Sequence, residues 1–352
     1  MATESGEPHM RHSSISGMAY SLGTTRLRVE ESAEAGRLRS PAADLVSAGF
    51  GSHYICRPEE TAYELAAAAV RELPLSGGVD AIVYNTCLPG NGNTGDPALW
   101  ERTRDVKHLM DFPASRLQAD FALSSAVVFG LGQQGCTGML GALRLANALL
   151  AAEPDWGTVL CVTSDRFPDG ALYEQSYNVI SDGAAACLVS RDQGEPGNPG
   201  GSGSSGASGD PGVSGKSLGY RIVASHQITN GGLHSASDDE TVGLFFSYVP
   251  RLVRQTVEKA GLTTADIDWV IPQNTNGNAW KIAARLLGFP EERICQSTLS
   301  DIGHAISADN VINLSALADS GAIEPGQRLL LVMAGHGLNW QATILEATET
   351  AP

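Results

Sequence analysis

The stretch Gln133-Gln134-Gly135-Cys136-Thr137-Gly138 lies between two apolar runs, and its reading decides the fold. Residues 124–131 read SSAVVFGL, β-branched and aromatic, the profile of a buried strand. Residues 139–152 read MLGALRLANALLAA, a predicted helix with apolar side chains on nearly every face. Cys136 is therefore expected where a buried strand turns into a buried helix. Unpaired N–H groups and the positive dipole end at a helix start favour a thiolate. Gly135 and Gly138 let a substrate approach the backbone closely. These features suit a nucleophile, and the same context also suits a small buried hydrophobe, the usual role of a cysteine outside a disulfide.

Composition narrows the class. The 352 residues suffice for one large domain or two ordinary halves, and 42% hydrophobic against 18% charged residues predicts a substantial core. A net charge of −16 argues against a nucleic-acid partner. No apolar run suggests a membrane span, and the N-terminus MATESGEPHMRHSS lacks a signal-peptide core. The six cysteines are scattered without metal-ligand spacing, so no metal site is expected and a reducing cytoplasm fits best. Cys161 and Cys187 lie in apolar strands and read as packing residues. Cys87, in NTCLPGNG, reads as an incidental thiol on an exposed turn.

Residues 194–216, GEPGNPGGSGSSGASGDPGVSGK, lack apolar periodicity and read as a flexible surface loop. They separate a first half, 13–193, from a second, 217–348, and the two repeat each other. In each, a helix (60–71; 249–260) leads to an Asp that opens an apolar strand ending in Asn-Thr: Asp80 to Asn85-Thr86, and Asp268 to Asn274-Thr275. Gly135-Cys136 then precedes an apolar helix and the strand 158–164, as Gly303-His304 precedes the helix 311–318 and the strand 328–334. Each half closes on a further strand, 184–190 and 341–346. This alternation predicts mostly parallel sheets with helix layers. A duplication would bring Cys136 and His304, at matching junctions, to the middle of the molecule.

At this point the chain resembles the thiolase superfamily, and within it the β-ketoacyl-ACP synthase III group. Four landmarks carry the resemblance: Gly135-Cys136-Thr137-Gly138 at a helix start; Pro272-Gln273-Asn274-Thr275-Asn276 after a strand; Gly303-His304 opening a helix; and the glycine turn Gly335-His336-Gly337-Leu338-Asn339-Trp340. The resemblance implies an α/β thiolase-like fold of duplicated halves in five layers, α-β-α-β-α, and a homodimer joined near the apolar strand at 126–131. It also implies an oxyanion hole from the backbone N–H groups of Cys136 and Gly337.

The departures bear on function. Condensing enzymes of this group use a histidine and an asparagine to decarboxylate a malonyl thioester. Gln273 stands where that histidine is expected, and His304 where the asparagine is. Glutamine donates a hydrogen bond but exchanges no proton near neutral pH. His304 and Asp309 supply instead an imidazole and a carboxylate five residues apart, so Cys136, His304 and Asp309 give a nucleophile, a base and an orienting anion. That spacing requires His304 in the turn before the helix. Asp301 is a rival partner for it. The set resembles synthase-III-like acyltransferases of natural-product pathways, including antibiotic and polyketide assembly.

The activity this implies is acyl transfer from a carrier-protein or CoA phosphopantetheine thioester, through a Cys136 acyl-enzyme, to a hydroxyl or amine of a small-molecule acceptor. No other cofactor is expected. Gln273 and Asn276 are candidate substrate-binding residues, and Arg251, Arg254, Lys281 and Arg285 a candidate carrier-docking set. A starter-unit condensing synthase and a non-catalytic partner subunit are the alternatives.

Overall fold

The computed structural model describes residues 12–91, 95–192, 218–335 and 338–349. The glycine–serine segment 194–216 and Gly337 lie outside the described residues. Nine strands form the main sheet: β1 (Ser13–Leu22), β2 (Ala81–Asn85), β3 (Val127–Leu131), β4 (Thr158–Asp165), β5 (Gly183–Arg191), β6 (Leu218–Thr229), β7 (Trp269–Pro272), β8 (Arg328–Gly335) and β9 (Asn339–Glu349). Five helices carry the layers: α1 (Ala62–Arg71), α2 (Gly138–Ala152), α3 (Asp238–Lys259), α4 (Gly277–Leu287) and α5 (Asp309–Asp319).

Strand order across the sheet is β7-β8-β9-β6-β1-β5-β4-β2-β3. The N-terminal β2 and β4 pair in parallel, then β4 with β5 and β5 with β1 antiparallel. The C-terminal half repeats this: β7 and β8 in parallel, then β8 with β9 and β9 with β6 antiparallel. The halves meet edge to edge through two antiparallel pairs, Ser14 with Arg221 and Ile15 with Tyr220. The repeat extends to single bonds. Asp80 N donates to Thr158 O and Asp268 N to Arg328 O, each at 2.9 Å. The side chain of each Asp accepts back from the partner residue's N–H.

Strand periodicity divides the core into layers. Val159 and Cys161 of β4, Ala185 and Cys187 of β5, and Leu329 and Leu331 of β8 face a central cluster with Met139, Leu143, Ile312 and Leu314 of α2 and α5. Leu160 and Val162 face the opposite way, onto α1. Leu330 and Val332 face away from the center onto α3 and α4. The architecture is thus α1, sheet, α2 with α5, sheet, α3 with α4. This is the five-layer arrangement expected from the sequence.

Three local expectations are corrected. The strand at 124–131 is shorter, Val127–Leu131, and is an exposed edge rather than a buried strand: Val127 is 45% and Phe129 36% accessible. Its β-branched and aromatic residues give a burial signal, but among the described residues β3 pairs on one side only, with β2. The helix expected at 249–260 begins at Asp238, because Ser237 and Glu240 form a capping box upstream of Pro250. Third, residues 135–152 have the length and composition to cross a membrane, which the sequence reading did not expect. They form α2 and its entry turn, with Met139, Leu140, Leu143 and Ala146 buried between the sheets.

Gly138, at the start of α2, has no room for a side chain: a Cβ there would lie 1.8 Å from Asn85 Oδ1. Asn85 cannot readily yield, since its Nδ2 donates to Leu131 O at 2.8 Å and its Oδ1 accepts from Thr163 Oγ1 at 3.1 Å. Gly138→Ala is expected to destabilise the fold by about 1–3 kcal/mol, lowering the urea midpoint. An unchanged midpoint would contradict this packing.

Candidate active site

Cys136 sits in a 3-10 turn, Gly135–Thr137, that feeds α2. Gln133 (φ +60°) and Gly135 (φ +53°) take left-handed backbone to make the bend. The bend is pinned from three sides. Thr137 Oγ1 donates to Gln134 O at 2.6 Å, and Ser307 Oγ donates to Gly135 O at 3.2 Å from the other half. Gly335, the last residue of β8, packs against the turn so closely that a Cβ would stand 2.8 Å from Cys136 N. Cys136 is 4% exposed, and what remains open faces a cavity.

His304 occupies the matching junction of the second half. Its N–H donates to Val179 O at 2.8 Å and its carbonyl accepts from Ser181 N at 2.9 Å, which locks the residue's backbone. Ile306 then adopts φ +52°, an unfavourable value for a β-branched residue, in a 3-10 turn, Ile306–Ala308. This kink folds the chain back, so that Asp309, the first residue of α5, reaches the imidazole. His304 Nδ1–H donates to Asp309 Oδ2 at 2.5 Å. The same oxygen accepts from Asn274 N at 2.7 Å, and Oδ1 accepts from Ala305 N at 2.7 Å. Asp301, the rival partner, is exposed and paired with Arg26.

Two buried asparagines hold this turn. Asn274 Nδ2 donates to Gly303 O at 2.8 Å and to Thr298 Oγ1 at 2.9 Å. Asn313 Nδ2 donates to Asn274 Oδ1 at 2.9 Å and to Pro272 O at 2.8 Å. The sequence showed Asn85 and Asn274 only as marks of a repeat. In the fold each secures one of the two active-site turns, Asn85 against Gly138 and Asn274 against Gly303.

The electrostatics follow from this burial. Desolvation works against a charged His304, but the Asp309 carboxylate outweighs it by charge and hydrogen bond. A further hydrogen bond with Cys136 adds to the effect, and the imidazole is pushed up to about 10. With Nδ1 committed to Asp309, Nε2 is the nitrogen left for the sulfur and the reacting atoms. Cys136, His304 and Asp309 are thus brought together as the sequence predicted.

The cavity beside Cys136 has a volume of about 290 Å³ and includes His304, Gln273, Asn276, Phe245, Ile282 and Trp340 in its lining. Gln273 is 6% exposed and its Oε1 accepts a hydrogen bond from Ala334 N, so its amide NH2 is the end left for a ligand. Asn276 is at the cavity wall, but its Oδ1 is engaged in capping α4 through Asn278 N at 3.0 Å. Arg251, Arg254, Lys281 and Arg285 are all exposed on the outer layer formed by α3 and α4. Arg254 donates to Leu286 O, and Arg285 pairs with Glu291 at 3.1 Å. Gly337 falls outside the described residues. Cys87 is corrected: it is half-buried and packed against the central cluster rather than exposed on a turn.

Residues 132–208 match the profile of the 3-oxoacyl-[acyl-carrier-protein (ACP)] synthase III family, and residues 257–347 match the C-terminal profile of the same family. A β-ketoacyl-[acyl-carrier-protein] synthase III from Deinococcus deserti is 30% identical over 253 residues, 69% of each chain. Another, from Chlamydia caviae, is 28% identical over 220 residues, 61% of this chain and 65% of that protein, just under two thirds of its length. The solved β-ketoacyl-ACP synthase III of Thermus thermophilus superposes with a TM-score of 0.74 at 22% identity, over 94% of this chain and 98% of its own. An acyltransferase, ChlB3, superposes at 0.71 with 19% identity, over 97% and 99%. The layers are those of the thiolase-like fold. The chain belongs to the 3-oxoacyl-ACP synthase III family.

Because His304 is raised in the folded state, the His304–Asp309 pair stabilises the fold fully below the unfolded histidine value near 6.5. That contribution is lost as pH rises through about 10. Asp309→Asn removes the anion and is expected to return His304 toward or below its ordinary value, read by NMR titration of the imidazole. The stability deficit of the variant should be greatest below about pH 6.5 and should shrink toward pH 10. A deficit that grows with pH would contradict the assignment.

Proposed function

We propose that the chain is an acyltransferase that accepts an acyl group from a thioester onto Cys136 and delivers it to a hydroxyl or amine. The observation that carries this reading is the buried His304–Asp309 pair beside Cys136, together with a glutamine at the position of the condensing histidine. Gln273 can only donate from its cavity-facing amide, so it can hold a carbonyl but cannot move a proton.

The proton balance is simple. The Cys136 thiolate attacks the donor carbonyl, and the carrier thiolate leaves with the proton of the His304 imidazolium. His304 is then neutral and takes the proton of the acceptor O–H or N–H as that atom attacks the acyl thioester. Cys136 departs as a thiolate beside a protonated His304, and the resting pair is restored. Asp309 keeps Nε2 directed at the sulfur throughout. In this reading the backbone N–H of Cys136 contributes to the oxyanion hole. One such donor contributes roughly 3–4 kcal/mol.

The exposed Arg251, Arg254, Lys281 and Arg285, near the apolar Ile282 at the cavity wall, suit an acidic carrier protein or the phosphates of CoA. The unpaired edge of β3, with Val127, Val128 and Phe129 exposed, suits a homodimer that continues the sheet. Val128→Pro at this edge is expected to convert a dimer to a monomer in sedimentation. A monomeric native protein would contradict the dimer.

A second reading, decarboxylative condensation by a starter-unit synthase, is favoured by the names of the relatives from Deinococcus deserti and Chlamydia caviae. It requires decarboxylation without the usual histidine–asparagine pair. Intact-mass spectrometry tests the acyl-enzyme. Incubation with acyl thioesters is expected to add one acyl group, mapped to Cys136 and absent in Cys136→Ala. His304→Ala should slow discharge to a hydroxyl acceptor by about 10²–10⁴-fold. Failure of a panel of acyl-CoA and acyl-carrier thioesters to label Cys136 would overturn the proposal.

A further inference from the structure

We infer that the hairpin tip Ser176-Tyr177 is a size-selecting wall of the substrate cavity, held across its mouth by hydrogen bonds to α3 and to the start of α4. The hairpin is short. Glu174 pairs with Val179 and Gln175 with Asn178, so only Ser176 and Tyr177 form its loop. Both take left-handed backbone, at φ +47° and +62°. A two-residue loop with positive φ at both positions normally uses asparagine, aspartate or glycine. Serine and tyrosine hold such a conformation only where surrounding contacts over-determine it.

Those contacts are present at the base and at the tip. Glu174, at the base, is 4% exposed, and its Oε2 accepts from Arg39 N at 2.6 Å and Ser40 N at 2.8 Å. At the tip, Ser176 Oγ donates to Asp238 Oδ1 at 2.8 Å, and Tyr177 OH donates to Asp239 Oδ1 at 2.7 Å. Both acceptors lie in the first turn of α3. Asp238 Oδ2 also pairs with Arg39 at 3.7 Å, which links the tether at the tip to the segment that fixes the base. On the other flank Asn276 N, at the cap of α4, donates to Asn178 Oδ1 at 3.2 Å.

These tethers run along the opening of the cavity. Tyr177 of the hairpin, Val242 of α3 and Ile282 of α4 all line it, and they are 44%, 36% and 45% exposed. Cys136, in the same lining, is 4% exposed. The three exposed residues therefore mark the rim, and the sulfur marks the floor. Phe245 of α3 packs edge-on against Trp280 of α4, with ring centroids 5.4 Å apart, and completes the ring of hairpin, α3 and α4. A slender molecule passes such a ring as it stands, whereas a bulky one needs a tether to open. The inference rests on the acyl-transfer reading only in taking Cys136 as the reactive thiol, and its test needs no acyl donor.

The experiment compares alkylation of Cys136 in the full-length protein by iodoacetamide and by fluorescein-5-maleimide, with the site followed by peptide mass mapping. The ratio of the bulky reagent's rate to the small one's cancels any change in the thiol itself. Ser176→Ala and Tyr177→Phe each delete one donor and keep the rest of the side chain. Each is expected to raise that ratio about tenfold over the wild type. Asp239→Ala should match Tyr177→Phe, and the double variant should exceed neither, because the two residues make one bond. A wild-type ratio in either Ser176→Ala or Tyr177→Phe would overturn the inference. So would additive effects of Tyr177→Phe and Asp239→Ala, or a Cys136 that neither reagent reaches in any of these proteins. If the ratios change as expected yet no thioester acylates Cys136, the acyl-transfer reading fails while the role of the hairpin stands.

Discussion

The site depends on one buried carboxylate. Asp309 has no solvent contact, and three N–H groups, from His304, Ala305 and Asn274, converge on its two oxygens. A buried anion without such donors would cost several kcal/mol or would protonate. With them it remains an acceptor that fixes the tautomer of His304 and supports its cation. The left-handed Ile306 is the backbone distortion that this contact requires, of a kind that costs about 1–3 kcal/mol. The bonds of His304 to Val179 and Ser181 and the asparagine relay through Asn274 and Asn313 hold that distortion in place.

Duplication places this carboxylate where chemistry can use it. Both halves build the same parallel-then-antiparallel sheet, and each sends one helix, α2 or α5, into the shared central layer. The starts of those helices meet, so a thiol on one and a histidine–carboxylate pair around the other become neighbours. Side chains that cannot be enlarged enforce the approach: Gly138 against Asn85, and Gly335 against the backbone of Cys136. Ser307 crosses between the halves to the carbonyl of Gly135. The two turns are therefore one packed unit.

Much of this was legible in the sequence. Apolar runs and the paired Asp…Asn-Thr strands gave the repeat, because strand alternation and helix periodicity are local properties. The i,i+5 spacing of His304 and Asp309 gave the turn, because only a turn lets the two meet. What stayed hidden was non-local. The β-branched stretch of β3 signals a strand but not whether anything covers it, and here it is an edge. Cys87 reads as an exposed loop thiol, whereas the bonds of its loop to Asp165 hold it against the central cluster. Gln273 stands out in the sequence as a departure, but the loss of its acceptor end to Ala334 appears only when β7 and β8 are seen side by side.

The most direct measurement of the central claim starts from acyl-enzyme isolated on Cys136. It is mixed in a single turnover with either a hydroxyl-bearing acceptor or a malonyl thioester, while loss of the acyl adduct and release of carbon dioxide are followed together. Acyl transfer directed by His304 and Asp309 predicts discharge to the hydroxyl without carbon dioxide release, and little discharge by the malonyl thioester. Rapid discharge by the malonyl thioester with one equivalent of carbon dioxide would contradict it.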